Sequence, residues 1–156
     1  MRRLFYGGLV VFAGVALDPT PGPSQSKAPV TDYRDDPRLH ALHKFFGKTG
    51  CPAKAYSNVF LEAADDYDLD WRLLPSISFI ESTGGKAARN NNLFGWDNGN
   101  AKFASPTEGI HKVGYLLAKS GRYRDKNLDE LLEIYNPNRD YGPKVKSVMR
   151  RIAPTE

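Results

Sequence analysis

A chain of 156 residues, 40% hydrophobic and 26% charged, supports one domain with a real core and is too short for two comfortable ones. Its formal charge of +4 is mild, and without a basic stripe or a nucleic-acid motif it excludes nucleic acid as the expected partner. The single cysteine, Cys51, excludes an intramolecular disulfide, so packing alone must hold the fold even outside the cell.

Residues 1–17 read as an export signal. Arg2 and Arg3 supply a positive start, Leu4 to Leu17 is uncharged and mostly apolar, and Gly14-Val15-Ala16 offers small residues for cleavage. The apolar run is shorter than the roughly 18–20 residues of a spanning helix, which favours removal; a retained signal-anchor is the alternative. Loss of Arg2 and Arg3 takes the charge from +4 to +2, still compatible with an anionic cell wall. The expected location is therefore periplasmic, wall-bound or extracellular, with membrane contact only through an uncleaved N-terminus. Residues 18–32 read as a linker, because four prolines with Ser, Gly and Gln between Asp18 and Val30 cannot build a core. The folded domain is expected over residues 33–156.

That domain reads as helices separated by loops. Asp36-Pro37 opens the first as N-cap and first helical residue; Leu39, Leu42, Phe45 and Phe46 give its apolar face and Gly47 is expected to end it. A second helix from about Tyr56 carries Val59, Phe60, Ala63, Ala64 and Tyr67 on one stripe. Asp70 is expected to cap a third, with Leu73, Leu74, Ile77 and Ile80 facing the core and Pro75 forcing a late start or a bend. Between Glu81 and Ser105 a polar run reads as a loop lobe, with a short hairpin around Asp97-Asn98-Gly99. Ser105-Pro106-Thr107-Glu108 forms a capping box for a helix burying Ile110, Val113 and Leu117 and ending at Gly121. Leu128, Leu131, Leu132 and Tyr135 mark a short helix behind Asn127, and Val145, Val148, Met149 and Ile152 a last one from about Tyr141. A mainly α bundle with one elaborated loop lobe follows.

Glu81 lies four residues after Ile77 and seven after Leu74, on or beside a buried stripe. A carboxyl so placed is partly desolvated and its pKa should rise, which suits it to hand a proton to a leaving glycosidic oxygen. The rival reading is a solvated glutamate at a helix end. Trp96, among Asp97, Asn98 and Asn100, offers a flat apolar face and one donor for stacking on a sugar. The three histidines, His40, His43 and His111, lack ligand spacing, so neither a metal nor a cofactor is expected.

Glu81-Ser82-Thr83-Gly84-Gly85-Lys86 followed by Asn91-Asn92-Leu93-Phe94-Gly95 resembles the bacterial glucosaminidase family of the lysozyme-like superfamily. Ser105-Pro106-Thr107-Glu108-Gly109-Ile110 resembles the next block of that family, and Tyr135-Asn136-Pro137-Asn138-Arg139-Asp140-Tyr141-Gly142-Pro143-Lys144-Val145 its late tyrosine block. The resemblance runs from about Asp70 to Val148. It implies a lysozyme-like bundle that hydrolyses β-1,4 links in the glycan strands of peptidoglycan, acting as a monomer with Glu81 as general acid. It further implies that Asn92, Phe94 and Gly95 shape the cleft floor and that Tyr135 lies opposite Glu81. Ser82, Trp96, Asn136 and Tyr141 complete the expected sugar contacts, with core packing an equal alternative for Phe94. Asp97 is the best second carboxylate, unless the substrate's own N-acetyl group acts as nucleophile.

Two alternatives stand beside this reading. Lytic transglycosylases also place a Glu-Ser pair at a helix end and carry a late Tyr-Asn pair, but continue with a Gly-Leu-Met-Gln type segment where this chain has Asn-Leu-Phe-Gly-Trp. A non-catalytic wall-binding module is the other, against which the presence of Glu81 argues.

Overall fold

The computed structural model describes residues 31–154, so the export segment and all of the linker but its last two residues lie outside the described residues. Over the described residues the protein is mainly α, with six helices and no strand longer than an isolated bridge. Tyr33 is already buried and donates its hydroxyl to Asp65 at 2.9 Å. Arg38 ties the same corner together, donating to both Asp36 and Asp65.

The first helix, α1, spans Pro37–Thr49, with the Asp36 carboxylate accepting from Arg38 N and Leu39, Leu42, Phe45 and Phe46 buried. Gly47 does not end it. The left-handed residue is Gly50 at φ 61, where Cys51 N reaches back to Phe46 O at 2.9 Å and closes the helix end. A turn of 3-10 helix over Pro52–Tyr56, absent from the sequence expectation, leads into α2, Ser57–Tyr67.

In α3, Leu73–Ser82, Pro75 is the third residue, where the backbone N–H would be unpaired in any case; no bend is needed. Asp70 does not cap this helix. Its carboxylate accepts from Arg72 N at 2.9 Å and its carbonyl from Leu73 N at 2.8 Å, which makes a turn ahead of the first helical residue. Leu73, Leu74 and Ile77 are buried as expected, whereas Ile80 is only half-buried.

Helix α4 is Pro106–Lys119, with Ser105 Oγ accepting from Glu108 N. The reciprocal arm is displaced by one residue, because Glu108 accepts from Ala104 N rather than from Ser105. Helix α5, Leu128–Tyr135, carries the complete capping box instead, between Asn127 and Glu130. Helix α6 is Tyr141–Ile152. The principal packing pairs are α2 with α4 and α3 with α6. Gly114 permits the first of these: a Cβ there would lie 2.9 Å from the Tyr67 ring and 3.3 Å from Leu74.

The loop lobe between α3 and α4 contains no hairpin. Its one bridge pairs Arg89 with Asn92. Asp97, Asn98 and Gly99 take positive φ values of 54, 52 and 83, and Gly99 N turns back onto Gly95 O at 2.9 Å. The flanking residues are engaged elsewhere, so no strands form. Phe94 pins the lobe to the bundle, fully buried and edge-on to Phe60 at 6.5 Å.

Candidate active site

Glu81 occupies the last turn of α3, and the residues after it lock that turn in place. Thr83 ends the helix at φ 53, and Gly84 N donates to Ser78 O at 3.0 Å. Ser82 is buried; its hydroxyl donates to Leu93 O at 2.8 Å and accepts from Gly85 N at 2.9 Å. That side chain joins helix to lobe and is closed to a sugar. Gly84 also has a Cβ-sized space occupied by Cys51, whose Sγ lies 2.9 Å from the position a Cβ would take. Cys51 is thus a packing residue.

Asn92 organises the lobe behind the site. Its amide donates to Trp96 O at 3.0 Å and Ala101 O at 3.3 Å, and its oxygen accepts from Trp96 N at 3.0 Å and Phe94 N at 3.3 Å. With both ends of a buried amide satisfied, it holds the backbone on which Gly95 and Trp96 sit. Asn92→Ala is expected to lower unfolding stability by about 1–3 kcal/mol, since one buried and three half-buried backbone groups lose their partner. Urea denaturation gives the value, and an unchanged midpoint would show that the lobe is held by other contacts.

Against this wall lies Glu81. Gly95, at φ 59, comes so close that a Cβ built there would be 2.8 Å from Glu81 Oε2. The carboxyl is pressed between backbone and ring surfaces, and burial raises its pKa above the usual carboxylate range, with the Tyr141 hydroxyl offsetting part of the rise. That hydroxyl is itself buried without a formed hydrogen bond, so it stands ready to donate to an ionised Glu81. Tyr135 donates to Phe94 O at 2.5 Å, which places its hydroxyl beside the same strip of backbone. Burial first, then the charge of Glu81, pushes the Tyr135 hydroxyl well above its ordinary pKa; it serves as a neutral donor.

A cleft of about 980 Å³ opens over these groups, lined by Glu81, Trp96, Asp97, Tyr123, Tyr135 and Asn136 among others. Its aromatic wall is continuous. Trp96 meets Tyr123 at 6.1 Å and Tyr135 edge-on at 5.8 Å, and Tyr135 stacks on Tyr141 at 5.7 Å. Aromatic faces, amides and one desolvated carboxyl in an open groove suit a polyhydroxylated chain that must be gripped along its length.

Six of the ten residues expected in the site line this cleft: Glu81, Gly95, Trp96, Asp97, Tyr135 and Asn136. The other four stand behind it. Ser82, Asn92 and Phe94 are buried, as is Tyr141, so they shape the wall and do not touch a ligand. Arg122, Tyr123, Ile134 and Pro137 line the cleft without having been expected. Tyr123 and its flanking arginines follow the end of α4 in a loop, and an aromatic amid charges there is the one local signal that marked them. Among the described residues no three His, Cys, Asp or Glu side chains gather as a metal cluster. His111 lies instead on α4 facing Glu62 and Asp66 at 3.9 and 3.8 Å.

Comparison with protein-family models, with curated proteins and with solved structures finds no match to this chain.

Proposed function

We propose that this protein is a glycosidase of lysozyme-like architecture acting on the β-1,4-linked glycan of peptidoglycan, with Glu81 as the general acid. The observation that carries the reading is the state of Glu81: a half-buried carboxyl of raised pKa, facing an aromatic and amide-lined groove. A carboxyl of raised pKa keeps its proton to higher pH than an ordinary one and can deliver it to the oxygen that leaves. Trp96, backed by the buried Tyr123, offers a ring face to the sugars, while Asp97, Asn98 and Asn136 supply polar contacts along the rim. Once the bond breaks, the ionised Glu81 stands next to the positive anomeric carbon, and the Tyr141 hydroxyl steadies its new charge.

The remaining step needs a nucleophile or a base. Asp97 lines the same cleft but is exposed on a turn, in contrast to the half-buried Glu81. That contrast favours a route with one acid, in which the substrate's N-acetyl group or its own C6 hydroxyl attacks the anomeric carbon and Glu81 later acts as base. Asp97→Asn is accordingly expected to keep peptidoglycan turnover within about fivefold of wild type, where loss of a true base removes a hundredfold or more. A drop of that larger size in the initial rate of sugar release would make Asp97 the base or nucleophile.

The one-acid geometry equally serves a lytic transglycosylase, so the products decide between the two. Mass spectrometry of digested peptidoglycan distinguishes reducing-end N-acetylglucosamine, expected for the glucosaminidase, from 1,6-anhydro-muramic ends. Absence of products from a protein that still binds glycan would reduce the cleft to a binding module.

A further inference from the structure

Arg122 is the one cation lining the cleft among the described residues. It follows α4 in a tight turn, where Tyr123 N and Arg124 N both donate to Ser120 O, at 3.0 and 2.9 Å. Tyr123 is buried, which fixes the backbone beneath the arginine. The guanidinium is held in two ways: its carbon lies 5.6 Å from the Tyr123 ring centroid, and Nη2 donates to Ile134 O at 3.2 Å. The latter contact satisfies a carbonyl in the last turn of α5, a structural task that a basic side chain often performs.

That task uses one N–H of a group with several. Arg34, Arg38, Arg72 and Arg124 each lie within ion-pair distance of an aspartate, whereas Arg122 has a carbonyl and a ring as its partners. The result is a positioned guanidinium with free donors in a groove whose other charged groups, Glu81 and Asp97, are acidic. Acidic side chains alone would offer an acidic saccharide no favourable charge contact. A fixed guanidinium reverses this at one end of the groove and matches a carboxylate in a planar, two-point contact.

We infer that Arg122 binds a carboxylate carried by the glycan, so that the cleft selects acidic saccharides over neutral ones of the same length. The inference rests on the glycan reading of the cleft. The carboxylate has two sources in peptidoglycan: the lactyl ether of a peptide-free muramic residue, or an acidic group of the attached peptide.

Isothermal titration calorimetry on the full chain carrying Glu81→Gln, which prevents turnover, tests it with three tetrasaccharides. One is the neutral N-acetylglucosamine tetramer, the second alternates N-acetylglucosamine with peptide-free N-acetylmuramic acid, and the third carries the peptides. Adding Arg122→Gln, which keeps an amide donor for Ile134 O, is expected to weaken an acidic tetramer about tenfold while leaving the neutral one within about twofold. Arg122→Lys should fall between, since it keeps the charge and loses the fork. Whichever acidic probe loses affinity identifies the source. An equal loss on all three probes, or no loss on either acidic probe, overturns the inference and leaves Arg122 as a helix-capping residue. If none of the three binds the parent protein, the glycan reading itself fails and takes this inference with it.

Discussion

Glu81→Gln is expected to reduce peptidoglycan turnover about a thousandfold, the scale set by loss of a general acid, while leaving glycan binding nearly intact. The amide keeps the shape of the side chain and its contact with Gly95, and removes only the proton that is transferred. Stability should move in the opposite direction to activity. Burial raises the pKa of Glu81 in the folded state, so folding is opposed by ionisation: the wild type carries no penalty while both folded and unfolded carboxyls are protonated. The penalty grows as pH climbs past the unfolded carboxylate's pKa and levels off above the folded one. Glu81→Gln escapes it. Thermal unfolding of the two proteins should therefore coincide in acid and separate toward neutrality, with the variant the more stable. The same raised pKa places the alkaline fall of kcat/KM above the ordinary carboxylate range, because the acid must be protonated in the free enzyme. A variant that turns over peptidoglycan like wild type would end the assignment of Glu81, whatever its stability.

Three helix starts were legible in this chain because a side chain announces them, Asp36 before Pro37, Ser105 before Pro106 and Asn127 before Leu128, whereas α2, α3 and α6 begin without a side-chain cap. Helix ends were less so. Gly47 and Gly50 are equally plausible terminators by type, and what selects Gly50 is the return of the next backbone N–H onto Phe46 O. Glu81 was legible because its position relative to Leu74 and Ile77 fixes which side of α3 it takes. The interior roles of Ser82 and Asn92 were not, since a polar residue in a polar run shows no preference for burial. Their partners, Leu93 O for one and Trp96 and Ala101 for the other, are neighbours only after the lobe has folded. Arg122 and Tyr123 lie on a loop without periodicity, and they reach the cleft through the reversal after α4 that sequence spacing does not encode. The site thus divides by physical cause: what a helix face positions can be read from spacing, and what a loop positions depends on hydrogen bonds formed at long range.

Gly95→Ala is expected to lower turnover about a hundredfold, although the substitution lies on the backbone side of the cleft and removes no functional group. Two effects combine. At φ 59 an alanine sits in the left-handed region, which costs about 1–2 kcal/mol of stability. Its Cβ would also stand 2.8 Å from Glu81 Oε2, inside contact distance. The carboxyl is the flexible end of its side chain, so it yields at little steric cost and the fold survives. What is lost is the placement of the acid: a displacement of about 1 Å at a reacting group is enough for a hundredfold fall in rate. The displaced carboxyl moves toward the open groove and regains water, so the alkaline limb of the pH–rate profile should shift to lower pH than in wild type. That shift separates a moved acid from a merely weakened fold, which would lower activity without changing the profile. Unaltered kcat with reduced thermal stability would show that the contact between Gly95 and Glu81 plays no part in setting the acid.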